Sequence, residues 1–187
     1  MSIYKKNLKA EHLQSIIDLL SNASREPLSK PWNYLGNINI GAVYALGFER
    51  GSENLITITS DGQAVIDCKT GKKIYRNREN DGYDHEREKA IRLDKPERAA
   101  IDTCSIAGGS LRRVTKDGYS VNEYSTNGIT YLYILQAPNS SLYDVKLGRA
   151  PKFEIVDEDF KAKFFGFSWS GRTLILVVDG DLEIWSR

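Results

Sequence analysis

Residues 163–187 read Lys163-Phe-Phe-Gly-Phe-Ser-Trp-Ser-Gly-Arg-Thr-Leu-Ile-Leu-Val-Val-Asp-Gly-Asp-Leu-Glu-Ile-Trp-Ser-Arg187. An apolar run, a Ser-Gly turn, a second apolar run, an Asp-Gly turn and a third apolar run follow in order. A looser version of the same cadence occurs earlier, as Val43-Tyr-Ala-Leu-Gly-Phe48 and then Asn54-Leu-Ile-Thr-Ile-Thr-Ser-Asp-Gly-Gln-Ala-Val-Ile-Asp-Cys68. Short runs of β-branched and aromatic residues joined by Asp-Gly are the strongest local signal for antiparallel hairpins. Both passages therefore predict three-stranded meanders.

Working outward, strands are expected at residues 42–49, 55–60, 64–68 and 72–76, with turns at Arg50-Gly51-Ser52-Glu53, Asp61-Gly62 and Lys69-Thr70-Gly71. Strand character returns at 103–107, 111–115, 119–124, 129–136, 142–147, 153–156, 164–168, 173–178 and 182–185. Asn127-Gly128 supplies another tight turn. Many short strands separated by Gly-containing turns indicate a mainly β meander, barrel or sandwich. The cadence is similar to that of β-propeller blades. A blade takes about 40 residues and the smallest propellers have four. Four complete blades do not fit once the helical start and a polar stretch are set aside. The expectation is a partial or distorted propeller-like antiparallel meander, or a sandwich of two such units, in one domain spanning 1–187.

Two segments depart from the β pattern. Within residues 1–35, Leu8, Leu13, Ile16, Ile17 and Leu20 recur at helical spacing, with Asn7 as a cap and Ser21-Asn22 as a stop. This amphipathic helix needs a surface to pack on, and the β body is the expected one; a docking or dimerisation helix is the alternative. Pro27 and Pro31 then precede Trp32 and Tyr34, which suggests an extended segment laid across the body. Residues 77–100 are too polar to bury an apolar face and read as an inserted loop with a short helix near 86–93. Loops on a rigid sheet often carry binding.

Composition narrows the function classes. The chain has 187 residues, a hydrophobic share of 41%, a charged share of 27% and a net charge of +1, values ordinary for a globular protein. A dedicated nucleic-acid binder usually carries a strong basic excess. Lys72, Lys73, Arg76 and Arg78 beside Tyr75, and Arg112, Arg113 and Lys116, are local exceptions, but no direct nucleic-acid contact is expected. Cys68 and Cys104 form no Cys-x-x-Cys pair and read as free buried thiols. No apolar h-region follows the charged N-terminus and no run approaches the ~20 residues that span a bilayer. The expectation is a cytoplasmic protein without membrane contact.

The chain has two histidines, His12 and His85. His12 reads as a surface residue of the helix. His85 stands beside Asp84, Glu86, Arg87 and Glu88, a residue set that suits a general base or a metal ligand. No second His or Cys sits at ligand spacing, so neither a metal nor another cofactor is expected. Phe167-Ser168-Trp169-Ser170-Gly171 lacks the Gly-x-Ser-x-Gly pattern of a nucleophile elbow and reads as a strand end entering a turn. Asp179 and Asp181 flank Gly180 as turn residues. Two acidic concentrations remain: Asp81, Asp84, Glu86 and Glu88 in the polar insertion, and Asp157, Glu158 and Asp159. Acidic groups on a rigid scaffold attract a basic partner.

In overall character, the whole chain resembles the immunity proteins of bacterial contact-dependent growth inhibition and related polymorphic toxin systems. The shared features are small size, an idiosyncratic β-rich body, charged loops and no catalytic constellation. The resemblance implies a non-enzymatic inhibitor that binds a cognate toxin domain, often a basic nuclease, and occludes its active site or substrate-binding surface. An acidic loop would then act as a phosphate decoy, through Asp81, Asp84, Glu86, Glu88, Asp157, Glu158 and Asp159. The free protein is expected as a monomer or homodimer. The alternatives are a small hydrolase using Asp84 and His85, and a non-catalytic β adaptor exposing Trp32, Trp169 or Trp185 on an apolar surface.

Overall fold

A computed structural model describes residues 3–78, 82–136, 141–149, 153–158 and 162–187. It begins with helix α1 (Ile3–Ser21), followed by strand β1 (Asn33–Asn39). A meander follows, of β2 (Val43–Phe48), β3 (Asn54–Thr59), β4 (Gly62–Asp67) and β5 (Lys72–Asn77). Four short strands come next, β6 (Tyr83–Asp84), β7 (Lys89–Ala90), β8 (Ile101–Asp102) and β9 (Cys104–Ser105). Then come β10 (Ser120–Thr126), β11 (Ile129–Leu135), helix α2 (Leu142–Lys146) and β12 (Phe153–Glu158). The last meander is β13 (Ala162–Phe167), β14 (Thr173–Val178) and β15 (Asp181–Ser186). The chain is mainly β, its sheets are antiparallel, and they do not close as a barrel. Two compact units result: Met1–Leu28 with Lys116–Phe160, and Ser29–Thr115 with Lys161–Arg187.

The second unit is built from the two meanders read in the sequence. One forms a five-stranded sheet in the order β5-β4-β3-β2-β9, the other a four-stranded sheet in the order β1-β15-β14-β13. One apolar core joins them: Val43, Leu46, Phe48, Leu55 and Ile66 from the first, and Phe164, Ile175, Val177, Leu182 and Ile184 from the second. A bulge in β2 between Val43 and Ala45 shifts the alternation, so Val43 and Leu46 both serve this core while Ala45 turns to the other face. Each fully buried Leu, Ile or Phe contributes about 1.5–3 kcal/mol. The segment after Pro31 is extended, as expected, and as β1 it pairs with β15 from Asn33–Ser186 to Asn39–Asp181.

β3 shows no polar alternation because both faces of its sheet are covered. Ala45, Ile56, Ile58 and Val65 pack beneath Ala90 and Ile101, which belong to the small β6-β7-β8 sheet. The polar insertion thus lies over an apolar sheet face, anchored by a few small apolar residues. Gly47 accommodates this cover: a Cβ there would stand 2.3 Å from the Asp102 carbonyl oxygen. The short helix expected near 86–93 does not form. Residues 85–88 are a turn between β6 and β7, because Glu88 takes a left-handed conformation (φ 49°) and its carbonyl accepts from the Thr103 backbone N–H instead of from a following helical turn. The strand expected at 111–115 is reduced to a bridge between Arg112 and Phe167.

In the first unit, β10, β11 and β12 form a sheet in that order. Asn127 and Gly128 turn between β10 and β11 with φ of 51° and 79°, the left-handed pair a tight hairpin requires. Ile16 and Leu20 of α1 pack with Tyr131, Tyr133, Leu135, Leu142 and Ile155. Helix α1 therefore lies on β structure as expected, with a corrected contact face. Leu13 is 47% exposed, while Leu19 joins the apolar cluster. The side chains of Leu8 and His12 lie outside those described. Residues 142–146 form a helix where a strand was expected. Ser141 Oγ accepts from the Asp144 backbone N–H at 3.3 Å, and Asp144 Oδ2 accepts from that of Ser141 at 2.9 Å, a reciprocal cap that favours helix over extended chain. No described helix is long and apolar enough to cross a membrane.

Candidate functional site

The sequence directs attention to the turn between β6 and β7, and the second unit holds that turn rigidly. Beneath it the buried Gln63 side chain imitates a strand, donating to Ile91 O at 2.9 Å and accepting from the Leu93 backbone N–H at 3.0 Å. Gly82 sits so close that a Cβ would stand 2.6 Å from Ile91 O. Arg92 is 2% exposed and pairs with Asp94 at 2.6 Å and with Glu49 at 3.1 Å. Arg98 reaches the other Glu49 oxygen at 2.7 Å. Burial alone would raise the Glu49 pKa; hydrogen bonds from Arg98, Asn54 and Ser52, with the Arg92 charge, instead bring it down to about 2. A buried charge network clamps the insertion to the end of β2.

The turn itself uses Asp84 on its own backbone. Asp84 Oδ1 accepts from the N–H groups of Glu86 and Arg87, both at 3.0 Å, and Asp84 Oδ2 lies 3.7 Å from the Arg87 guanidinium. Glu88 adopts a left-handed conformation with φ 49°. Its carbonyl accepts from Thr103 N and Oγ1 at 2.9 and 2.7 Å, and its carboxylate accepts from Ser105 Oγ at 2.6 Å. Glu86 is left exposed at the tip. The His85 ring lies against tyrosines, 4.5 Å from the Tyr83 centroid and 5.8 Å from that of Tyr44. In the hydrolase alternative Asp84 would orient His85; here its Oδ1 serves the following backbone. No group of three or more metal-ligating side chains occurs among the described residues.

The second acidic group belongs to the other unit. Glu158 Oε2 accepts from Arg25 Nε at 3.1 Å and Nη2 at 2.7 Å, and Arg25 Nη1 donates to Leu20 O at 3.0 Å. This places a cation at the C-terminal end of α1, where the helix dipole favours one, and ties the helix to β12. Asp157 Oδ1 accepts from the Glu158 N–H at 2.8 Å. Asp81 and Asp159 lie outside the described residues. The structure thus brings Asp84, Glu86 and Glu88 into one turn and sets Asp157 and Glu158 together on a separate strand end.

Two carboxylates the sequence reading passed over prove to be the most deeply placed among the described residues. Glu49 is 7% exposed and Glu53 6%, although Glu53 was expected on a loop. Glu53 accepts from Ser170 Oγ at 2.5 Å and from Thr173 Oγ1 at 2.6 Å, joining the β2–β3 loop to the β13–β14 turn. That partnership explains the Ser168–Gly171 turn, where Ser168 Oγ also accepts from Thr173 N. The sequence signal was indirect: a Ser-x-Ser-Gly-x-Thr turn rich in hydroxyls needs an acceptor. Trp32 and Trp185 are buried and Trp169 is half-buried, so the apolar surface foreseen by the adaptor alternative does not include the first two. Burial, followed by the charges of Glu53 and Asp67, pushes the Cys68 thiol far above its ordinary range. Burial raises Cys104 to about 11. Both thiols are free and buried, as expected. Compared with known proteins, the sequence matches no family model and no curated protein.

Proposed function

We propose that this protein is an immunity protein, which binds a cognate bacterial toxin domain and blocks its active site or substrate-binding surface. The observation that carries the reading is the pre-formed turn at residues 84–88. Asp84 fixes the backbone from within, Glu88 is held by Thr103 and Ser105, and Glu86 projects from a segment clamped to a two-sheet body. A loop ordered before binding loses little entropy on binding, and an exposed carboxylate on it attracts a basic partner. A basic nuclease is the partner class this contact suits. Asp157 and Asp84 contribute field at their respective strand ends; Glu86 makes the direct contact.

The test is co-expression with the toxin domain encoded beside it, followed by native mass spectrometry and a nuclease assay. A stoichiometric complex in which nuclease activity is lost supports the reading. Free protein beside a fully active toxin overturns it.

A further inference from the structure

Two hollows in the second unit share Asp102. One, of about 300 Å³, carries Glu49, Arg50, Arg98 and Asp102 on its walls. The other, of about 90 Å³, is bounded by Phe48, Leu111, Arg112, Phe167 and Trp169. The larger lies at the lower end of the range for small-molecule sites, about 300–1,000 Å³, which points to a small ligand.

The cations around these hollows are held in place. The Arg50 guanidinium lies 4.2 Å from the Trp169 ring centroid and donates to Asp102 at 3.2 Å. The indole is fixed in turn, donating Nε1 to Phe48 O at 2.8 Å. Arg112 donates to Trp169 O at 2.9 Å, and Arg98 is aimed by its bond to the buried Glu49. Among the described residues Arg50, Arg98 and Arg112 each make one side-chain hydrogen bond, and a guanidinium has about five N–H donors. Most of their donors therefore remain for a ligand.

Charge gives the sign of that ligand. Counting the groups that line the hollows and the chain of ion pairs attached to them, out to Asp94 through Arg92, Glu49, Asp94 and Asp102 stand against Arg50, Lys89, Arg92, Arg98 and Arg112. Two positive charges are in excess. Asp102 repels an anion, but it is already shared between Arg50 and Lys89. Guanidinium forks match the oxygens of phosphate and hold them bidentately.

We infer that this cleft binds a small phosphate monoester, its dianion between Arg50 and Arg98 and its ester substituent toward the Trp169–Phe48–Leu111 hollow. The site goes beyond the inhibitor reading and does not depend on it. The full chain, titrated calorimetrically with phenyl phosphate and separately with inorganic phosphate at constant ionic strength, tests it. Saturable binding of both is expected, with phenyl phosphate tighter. Arg50→Gln, at an exposed position that leaves the Glu49 network intact, should weaken both by about tenfold or more, and Lys72→Gln on β5 should change neither. Absence of saturation, or wild-type binding by Arg50→Gln, overturns the site. Equal affinity for the two probes overturns the placement of the ester substituent.

Discussion

The loop from Glu49 to Asn54 and the turn from Asp84 to Glu88 look alike as sequence: short, polar, acidic and close to a glycine or a β-branched run. The fold uses them in opposite ways. In the first, Glu49 and Glu53 point inward and are each held by two side chains from distant segments, Arg92 and Arg98 in one case, Ser170 and Thr173 in the other. In the second, Asp84 binds the turn's own backbone, Glu88 is tied to Thr103 and Ser105, and Glu86 is left in solvent. Inward carboxylates join elements; outward ones are available to a partner. Which fate an acid meets depends on whether the fold delivers donors to it, since an unpaired buried charge is too costly to keep.

The comparison breaks first, if it breaks, at Glu49. Replacing it with Ala leaves Arg92 buried with Asp94 as its remaining counter-charge, and a loss of about 3–5 kcal/mol is expected in urea denaturation. A loss below about 1 kcal/mol would place Glu49 among ordinary surface acids. Its pH signature is distinctive. Because the folded-state pKa is depressed from 4.5 to about 2, its contribution is full above the ordinary value and disappears as pH falls toward about 2. Between pH 5 and 2 the wild type should therefore lose more stability than Glu49→Gln, measured by melting temperature at each pH.

Glu53→Ala should cost somewhat less, about 2–3 kcal/mol, since it strands two hydroxyls that can turn elsewhere. An uncharged control lies on β3, where the Thr57 hydroxyl is buried without a hydrogen-bond partner among the described residues. Thr57→Val keeps the shape and removes the desolvation cost, so a gain of about 1 kcal/mol is expected in the same denaturation assay. Glu158→Gln loosens a half-exposed pair with Arg25 and should cost less than about 1 kcal/mol. Smallest of all in stability is Glu86→Lys, within about 0.5 kcal/mol. The same substitution should slow association with a basic toxin domain in stopped-flow measurements and steepen less with falling salt. Unchanged association kinetics would remove Glu86 from the proposed contact.

Much of the β architecture was readable because hairpin chemistry is local. Asn127-Gly128 and Asp179-Gly180 each sit between paired strands, and the turn expected at Asp61-Gly62 falls one residue earlier, at Ser60-Asp61, with Gly62 opening β4 opposite Thr59; nothing distant is needed to make such turns. The helix at 142–146 was missed because Leu142, Val145 and their neighbours suit either period; the Ser141–Asp144 cap decided it. The acids at 84–88 share one turn, yet which would face outward was not legible, because that rests on Thr103 and Ser105 arriving from β8–β9.

By itself, then, the sequence determined the class of fold, most of its hairpin turns and the helical start, all of which follow from residue spacing within a dozen positions. Only the tertiary structure decided that β1 closes onto β15, that a polar insertion covers an apolar sheet face, and that Glu49 and Glu53 are structural. Those outcomes depend on pairing partners more than 40 residues apart (Glu49 with Arg92, Glu53 with Thr173). An acidic side chain carries no local mark of the distant donor that will hold it.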